Sequence, residues 1–348
     1  MQTSPRTDAE DVRRQLSVRI LVLALLSQVV LFGGLIYFAV TGFPFVGGGG
    51  GLVVTRTSAA GAGTGTPSAP ASAVDTAPDR LPQAKVDRFD GVRAYRLTAE
   101  QVGYGQRPAG SPQLAKLAER LRPLLPDGRF EALPGSTAAK PLRNIVGTIP
   151  GAKPAIVVGA HYDTLVKPQG FVGANNGASG SAIVVEVARA MRKLKRPAGA
   201  PELKFVLFDG EEPDAGLPEE QADFYHTGLR GSRAYTARHS GQTRSMLLLD
   251  YVGGRGLTLP MEATSDRTLW TQIRGAATRV GVGSIFPDRT DLSIQDDHTP
   301  FQRQGVPAVD FIDWSYPGHS LEDSMALISR RALDAVGETV VEHLRTAR

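Results

Sequence analysis

The chain has 348 residues, 41% of them apolar, which is enough for one large packed domain with appendages or for two modest ones. Lys and Arg number 39 against 35 Asp and Glu, a net charge of +4 with no concentrated basic stripe, so no nucleic-acid partner is expected. Cysteine is absent, which excludes disulfides, thiolate nucleophiles and Cys-held zinc together and leaves His, Asp and Glu as metal ligands.

Residues 1–19 are polar and carry Arg6, Arg13, Arg14 and Arg19, and residues 20–40 then run without a charge. A run of that length spans a bilayer as a helix. The next basic residue is Arg56, and positive charge concentrated before the span predicts a cytoplasmic N-terminus and an exported C-terminal bulk. A cleaved signal peptide has an apolar region of only about 7–15 residues with a small-residue cleavage site close behind. The longer run here reads as an uncleaved transmembrane anchor over 20–42, following a cytoplasmic tail over 1–19. From Gly47 to about Pro82 the composition falls to Gly, Ala, Thr, Ser and Pro, so 43–82 is assigned as a flexible linker and 83–348 as the folded domain. The expected location is a cell membrane, single-pass, with that domain outside the cytoplasm.

Within the domain, 113–122 reads as a helix with Leu114, Leu117 and Leu121 on one face. Residues 181–194 place Ile183, Val184, Val187, Ala188 and Met191 on one helical face, and 329–345 form a closing helix. The strand candidates are the short apolar runs 155–158, 203–208, 245–249 and 308–312. This alternation predicts an α/β three-layer sandwich, a mostly parallel central sheet flanked by helices. Nothing in the sequence indicates an oligomeric state.

Open α/β sheets bind ligands beyond the carboxyl ends of their strands, so the residues after each strand are where a site is expected. The first candidate strand is followed by Gly159-Ala160-His161-Tyr162-Asp163, the second by Asp209-Gly210-Glu211-Glu212, the third by Asp250, and the fourth by a loop carrying His319. Singly, each has an ordinary explanation as a core histidine, a solvated turn or a cap. Together, at equivalent strand ends, they offer imidazole and carboxylate ligands suited to zinc and a further carboxylate to activate water. Asp163, two residues past His161, falls on the same side of an extended backbone and is placed to orient that imidazole.

These residues, in this order, resemble metallopeptidase family 28, which includes zinc aminopeptidases and the related glutaminyl cyclases. The resemblance is carried by His161-Tyr162-Asp163-Thr164, Gly173-Ala174-Asn175-Asn176-Gly177-Ala178-Ser179-Gly180, Phe208-Asp209-Gly210-Glu211-Glu212, Leu249-Asp250 and Gly318-His319. Arg107-Pro108-Ala109-Gly110-Ser111-Pro112 and Asp296-Asp297-His298-Thr299-Pro300-Phe301 add to it, so that it extends from about Arg107 to the C-terminus. It implies that Glu211 is the general base acting on the attacking water, that Glu212 and His319 share one zinc, and that His161 and Asp250 hold a second. Asp163 and Asp296 would support these ligands from behind.

One position departs from the family pattern. An Asp normally bridges the two zincs where this sequence has Asn176, and Asn175 before it means that no one-residue slip restores a carboxylate. A neutral amide compensates two dications far less than a bridging carboxylate. The site then runs on one zinc, recruits another carboxylate such as Asp163 or Asp296, or belongs to a relative that only binds. The cyclases of the family typically carry Trp immediately before the last zinc histidine; here that residue is Gly318, with Trp314 near enough in sequence to replace it. The 296–301 segment is similar to the cyclase loop and the peptidase loop alike. The expected function is a zinc-dependent exopeptidase of the aminopeptidase type acting on peptides or proteins. The alternatives are a glutaminyl-peptide cyclotransferase and a non-catalytic binding ectodomain.

Overall fold

Strands that are covered on both faces read as unbroken apolar runs, and the centre of this protein is built from four of them. In the computed structural model, which describes residues 80–214 and 223–348, six strands form one sheet in the order β1-β2-β4-β3-β5-β6. They are β1 (Arg129–Ala132), β2 (Arg143–Ile149), β3 (Ala152–His161), β4 (Pro201–Phe208), β5 (Thr243–Leu249) and β6 (Ala308–Phe311). β3 pairs in parallel with β4 and β5, and β5 with β6, whereas β2 runs antiparallel to both β1 and β4. The sheet is therefore mixed: β4, β3, β5 and β6 pair in parallel as expected, and the two further strands add antiparallel pairings. The two strands missing from the sequence reading are those that make it so. Gly147 and polar residues interrupt β2, and β1 is half-exposed throughout.

Among the described residues six longer helices accompany the sheet: α1 (Gly91–Val102), α2 (Pro112–Leu121), α3 (Gly180–Lys193), α4 (Arg230–His239), α5 (Arg267–Val280) and α6 (Arg330–Thr346). Their starts follow from local chemistry. Ser111 accepts a hydrogen bond from the Leu114 N–H with Pro112 in the first turn, and Asp266 and Ser329 cap α5 and α6 through Leu269 and Ala332. Alternation along the strands separates two cores. Ile156, Val158, Leu203, Phe205, Leu247 and Leu249 face the larger one, shared with α1, α2, α3, α5 and α6. Val157, Val206, Phe208, Met246 and Leu248 face a smaller one closed by Tyr235 of α4 and by Phe301.

The expected tail (1–19), anchor (20–42) and all but the last residues of the linker (43–82) lie outside the described residues. Among the described residues no helix is long and apolar enough to cross a membrane. Leu81 and Phe89 pack into the larger core, and Glu338 of α6 accepts hydrogen bonds from the backbone N–H groups of Arg88 and Phe89.

Beside that contact, burial pushes the Asp334 carboxyl up to about 7, helped by Glu338, Asp87 and Asp90 and opposed by a hydrogen bond from the Gly91 N–H. A carboxyl whose folded pKa lies above its unfolded value is destabilising once ionised. The penalty grows as pH rises from the unfolded value of 3.8 to about 7 and is constant above that. Asp334→Asn keeps an acceptor for Gly91 and removes the charge. It is expected to raise stability at pH 8 by about 1 kcal/mol after solvent relaxation is allowed for, with a smaller gain at pH 5. Urea unfolding at the two pH values checks this, and an equal gain at both would count against the assignment.

Candidate functional site

The carboxyl ends of β3, β4 and β5 bring the sequence-predicted residues together. His161 closes β3 and is buried, with its Nε2 3.4 Å from Asp250 Oδ1 and its Nδ1 3.5 Å from Asp163 Oδ1 and 3.8 Å from Glu211 Oε2. Neither ring nitrogen has a hydrogen-bond partner among the described residues. Asp163 Oδ1 and Oδ2 accept the backbone N–H groups of Glu211 and Glu212 at 3.2 and 3.3 Å. Asp163 therefore fixes the backbone of both adjacent glutamates and lies beside the imidazole without a hydrogen bond to it. With both oxygens engaged it does not stand in for the missing bridging carboxylate.

Asn176 lies against Glu212, its Nδ2 donating to Oε1 at 2.7 Å. Its loop is held from behind by Asp323, which accepts the backbone N–H groups of Asn175 and Asn176 at 2.7 and 3.0 Å. Arg107 holds the same loop from the other side. Its guanidinium is wholly buried and donates to the carbonyls of Tyr162, Val172 and Gly173. Gly177 follows at φ +97°, where a Cβ would lie 2.6 Å from the Asp163 carbonyl oxygen, so only glycine fits between Asn176 and His161.

Glu211, Glu212, Asp250, Asp296 and His319 line one cavity of about 400 Å³, and Phe224, Leu292, Ile294 and Trp314 supply its apolar wall. Trp314 stacks on Tyr251 with ring centroids 6.0 Å apart and meets His319 edge-on at 6.2 Å. Trp314 thus forms part of the cavity wall. A larger groove of about 840 Å³ between residues 83–92 and the start of α6 contains none of these residues.

Electrostatically the cavity is an excess of buried acid. Asp163, Glu211, Glu212, Asp250, Asp296 and Asp297 are all buried around His161. Burial and the neighbouring Glu212 carboxyl raise Glu211 well above the usual range, with Asp296 and Asp297 adding and His161 opposing. Burial pushes Glu212 up to about 8, and burial together with Asp250 and Asp297 raises Asp296 well above its ordinary value. At His161 burial acts downward, yet Glu211, Asp163 and Asp250 outweigh it and raise the imidazole well above its ordinary value. Such a cluster is stable only when protons or a bound cation compensate it.

The donor set fits a zinc ion. Two ligands on one tetrahedral zinc at about 2.0–2.1 Å lie about 3.4 Å apart, and that is the His161–Asp250 separation of 3.4 Å. Among the described residues no three His, Asp or Glu side groups are already gathered at metal-holding distance. The further donors on the same cavity are Glu212 and His319.

Arg107, Asp323 and Tyr251 were not singled out as site residues in the sequence. The signal for Asp323 is its place four residues after His319; nothing local marks Tyr251.

The profile of Peptidase family M28 matches residues 144–344. The glutaminyl-peptide cyclotransferase of Bothrops jararaca is 26% identical over 226 residues, 55% of this chain and 61% of that protein. The chain thus spans less than two thirds of that relative's length. Among solved structures, a Porphyromonas gingivalis glutaminyl cyclase superposes with a TM-score of 0.65 at 26% identity, covering 74% of this chain and 99% of that one. A leucine aminopeptidase precursor from Bacteroides thetaiotaomicron superposes with a TM-score of 0.66 at 25% identity, covering 76% and 100%.

Proposed function

Because the chain belongs to peptidase family M28, we propose that it is a zinc-dependent enzyme of acyl transfer at the amino-terminal residue of peptides, and that its own reaction is cyclisation of N-terminal glutamine. The observation that carries this reading is the cavity, in which the buried carboxyls Glu211 and Asp296 face an apolar and aromatic wall that includes Trp314. The glutamine side group is neutral and carries the leaving group; the nucleophile is the substrate's own amine. What the protein has to supply is a proton path and a dry, shaped cavity.

Glu211 takes a proton from the attacking α-amine as the new N–C bond forms, and returns it to the nitrogen that leaves as ammonia when the glutamine amide bond breaks. Its buried setting suits a group that holds a proton between those two events. Asp163 keeps the Glu211 backbone in place, and Trp314 closes the cavity over the glutamine amide. His161, Glu212, Asp250 and His319 would hold the zinc, with Asn176 beside Glu212. When bound, zinc supplies Lewis-acid polarisation of the acyl carbonyl. The charge-free run over residues 20–40 supports an extracytoplasmic substrate.

Hydrolysis of the N-terminal peptide bond, the expectation from sequence, is the second reading. It is favoured by Gly318 in place of the cyclase tryptophan and by the aminopeptidase-like structural neighbour. Mass analysis of products separates the two. Zinc-loaded full-length protein is expected to convert a Gln-initiated peptide to the species lacking one ammonia, with no amino acid released. Release of the N-terminal residue from that peptide would replace cyclisation with hydrolysis, and no product of either kind under zinc, cobalt or manganese would refute both.

A further inference from the structure

Tyr251 follows Asp250 at the end of β5 and sits at φ +48°, the left-handed region that a bulky residue rarely adopts. Such a conformation is strained and persists where the surroundings hold it, most often at functional sites. Here the turn carries the ring back over the cavity. The backbone N–H of Tyr251 donates to Asp250 Oδ1 at 2.9 Å, and the ring is enclosed by Trp314 at 6.0 Å, Tyr316 at 5.8 Å and His319 at 6.2 Å between centroids. The residue is 3% exposed and lines the cavity. Among the described residues no hydrogen bond engages its hydroxyl, and that oxygen is not one of the fully buried unpartnered atoms, as fits a group opening on the cavity.

Gly318 completes the picture. A Cβ there would lie 2.2 Å from Tyr251 Cζ and 2.3 Å from its hydroxyl oxygen. The space left by the glycine before His319 is thus the space that the Tyr251 hydroxyl occupies. A donor held on the wall of an acidic cavity, with no acceptor among the described residues, is free to meet an oxygen that a ligand would bring.

We propose that the Tyr251 hydroxyl is a catalytic hydrogen-bond donor to the substrate's acyl oxygen, an assignment that rests on the acyl-transfer reading above. As the nucleophile adds to the carbonyl carbon, the π electron pair moves onto that oxygen. The phenol O–H shortens its hydrogen bond to the developing anion and keeps its proton. When the leaving group departs, the carbonyl reforms and the hydrogen bond relaxes. Neither oxidant nor co-reactant is involved.

The test compares wild type with Tyr251→Phe, which preserves the ring and its packing, in zinc-loaded full-length protein. Turnover should fall between about 10- and 100-fold with KM within about threefold, the pattern of an interaction made in the transition state. A second readout is independent of turnover: binding of a phosphinic dipeptide analogue, whose tetrahedral anionic oxygen mimics the developing charge, against the matching planar amide. Tyr251→Phe should weaken the phosphinate by about 10- to 100-fold and leave the amide unchanged. Equal affinities of the two proteins for the phosphinate, or equal loss on both ligands, would overturn the assignment. Selective loss of phosphinate binding in a protein that processes no peptide would support Tyr251 as an oxyanion donor and refute the cyclisation reading alone.

Discussion

Replacing Glu211 with Gln is expected to lower turnover on the order of 1000-fold while leaving the fold and the bound metal intact. The substitution is nearly isosteric, and the tie to Asp163 runs through the Glu211 backbone N–H, which is unchanged. What is lost is a group that accepts and returns a proton. The neighbouring Glu212 cannot replace it, since its Oε1 is engaged by the Asn176 amide at 2.7 Å. Glu212→Gln should show the opposite profile, with metal lost first and turnover lost because of it. Steady-state kinetics and metal content of the two variants separate the roles. Retention of more than about a tenth of wild-type turnover in Glu211→Gln would remove it as the proton carrier.

The parts of the fold that were legible in sequence are those whose burial is uniform. β3, β4 and β5 are covered on both faces, so each appears as an apolar run whose end marks where chemistry begins. β2 was not legible because Gly147 and Thr148 cut its apolar run to Ile145 and Val146, and β1, the strand before it, is too exposed to show an apolar pattern. For the site, His161, Glu211, Glu212 and Asp250 were legible because strand ends in an α/β sheet converge whatever the details of the loops. Arg107 and Asp323 act at sequence separations of 66 and 147 residues, through hydrogen bonds to Gly173 and to Asn176, and no local pattern encodes such contacts. Tyr251 was hidden for a different reason. Its position depends on a left-handed turn at a non-glycine residue, which propensity argues against and only the packing of Gly318, Trp314 and Tyr316 enforces.

Converting Asn176 to Asp is expected to have opposite effects on the metal-free and metal-loaded protein. Without metal the variant loses the amide donor to Glu212 and sets a second carboxylate against it, in a cavity already rich in buried acid. That arrangement should destabilise the metal-free protein by about 1–3 kcal/mol at pH 8, with the loss diminishing as falling pH protonates the pair. Burial already pushes Glu212 up to about 8, so an added carboxylate deepens an existing shortage of positive charge. With zinc the sign reverses. A further carboxylate beside Glu212 would supply charge that the neutral amide lacks, so affinity should rise at least about tenfold and stoichiometry should move from one ion to two. The backbone needs no rearrangement, because Asp323 holds residue 176 by its N–H and Gly177 keeps its turn. Metal content after dialysis against limiting zinc, together with thermal unfolding with and without chelator, measures both effects. If wild type already binds two ions, or the variant gains no zinc affinity, then Asn176 is not what limits the site, and Asp296 on the cavity wall is the next carboxylate to test as the compensating charge.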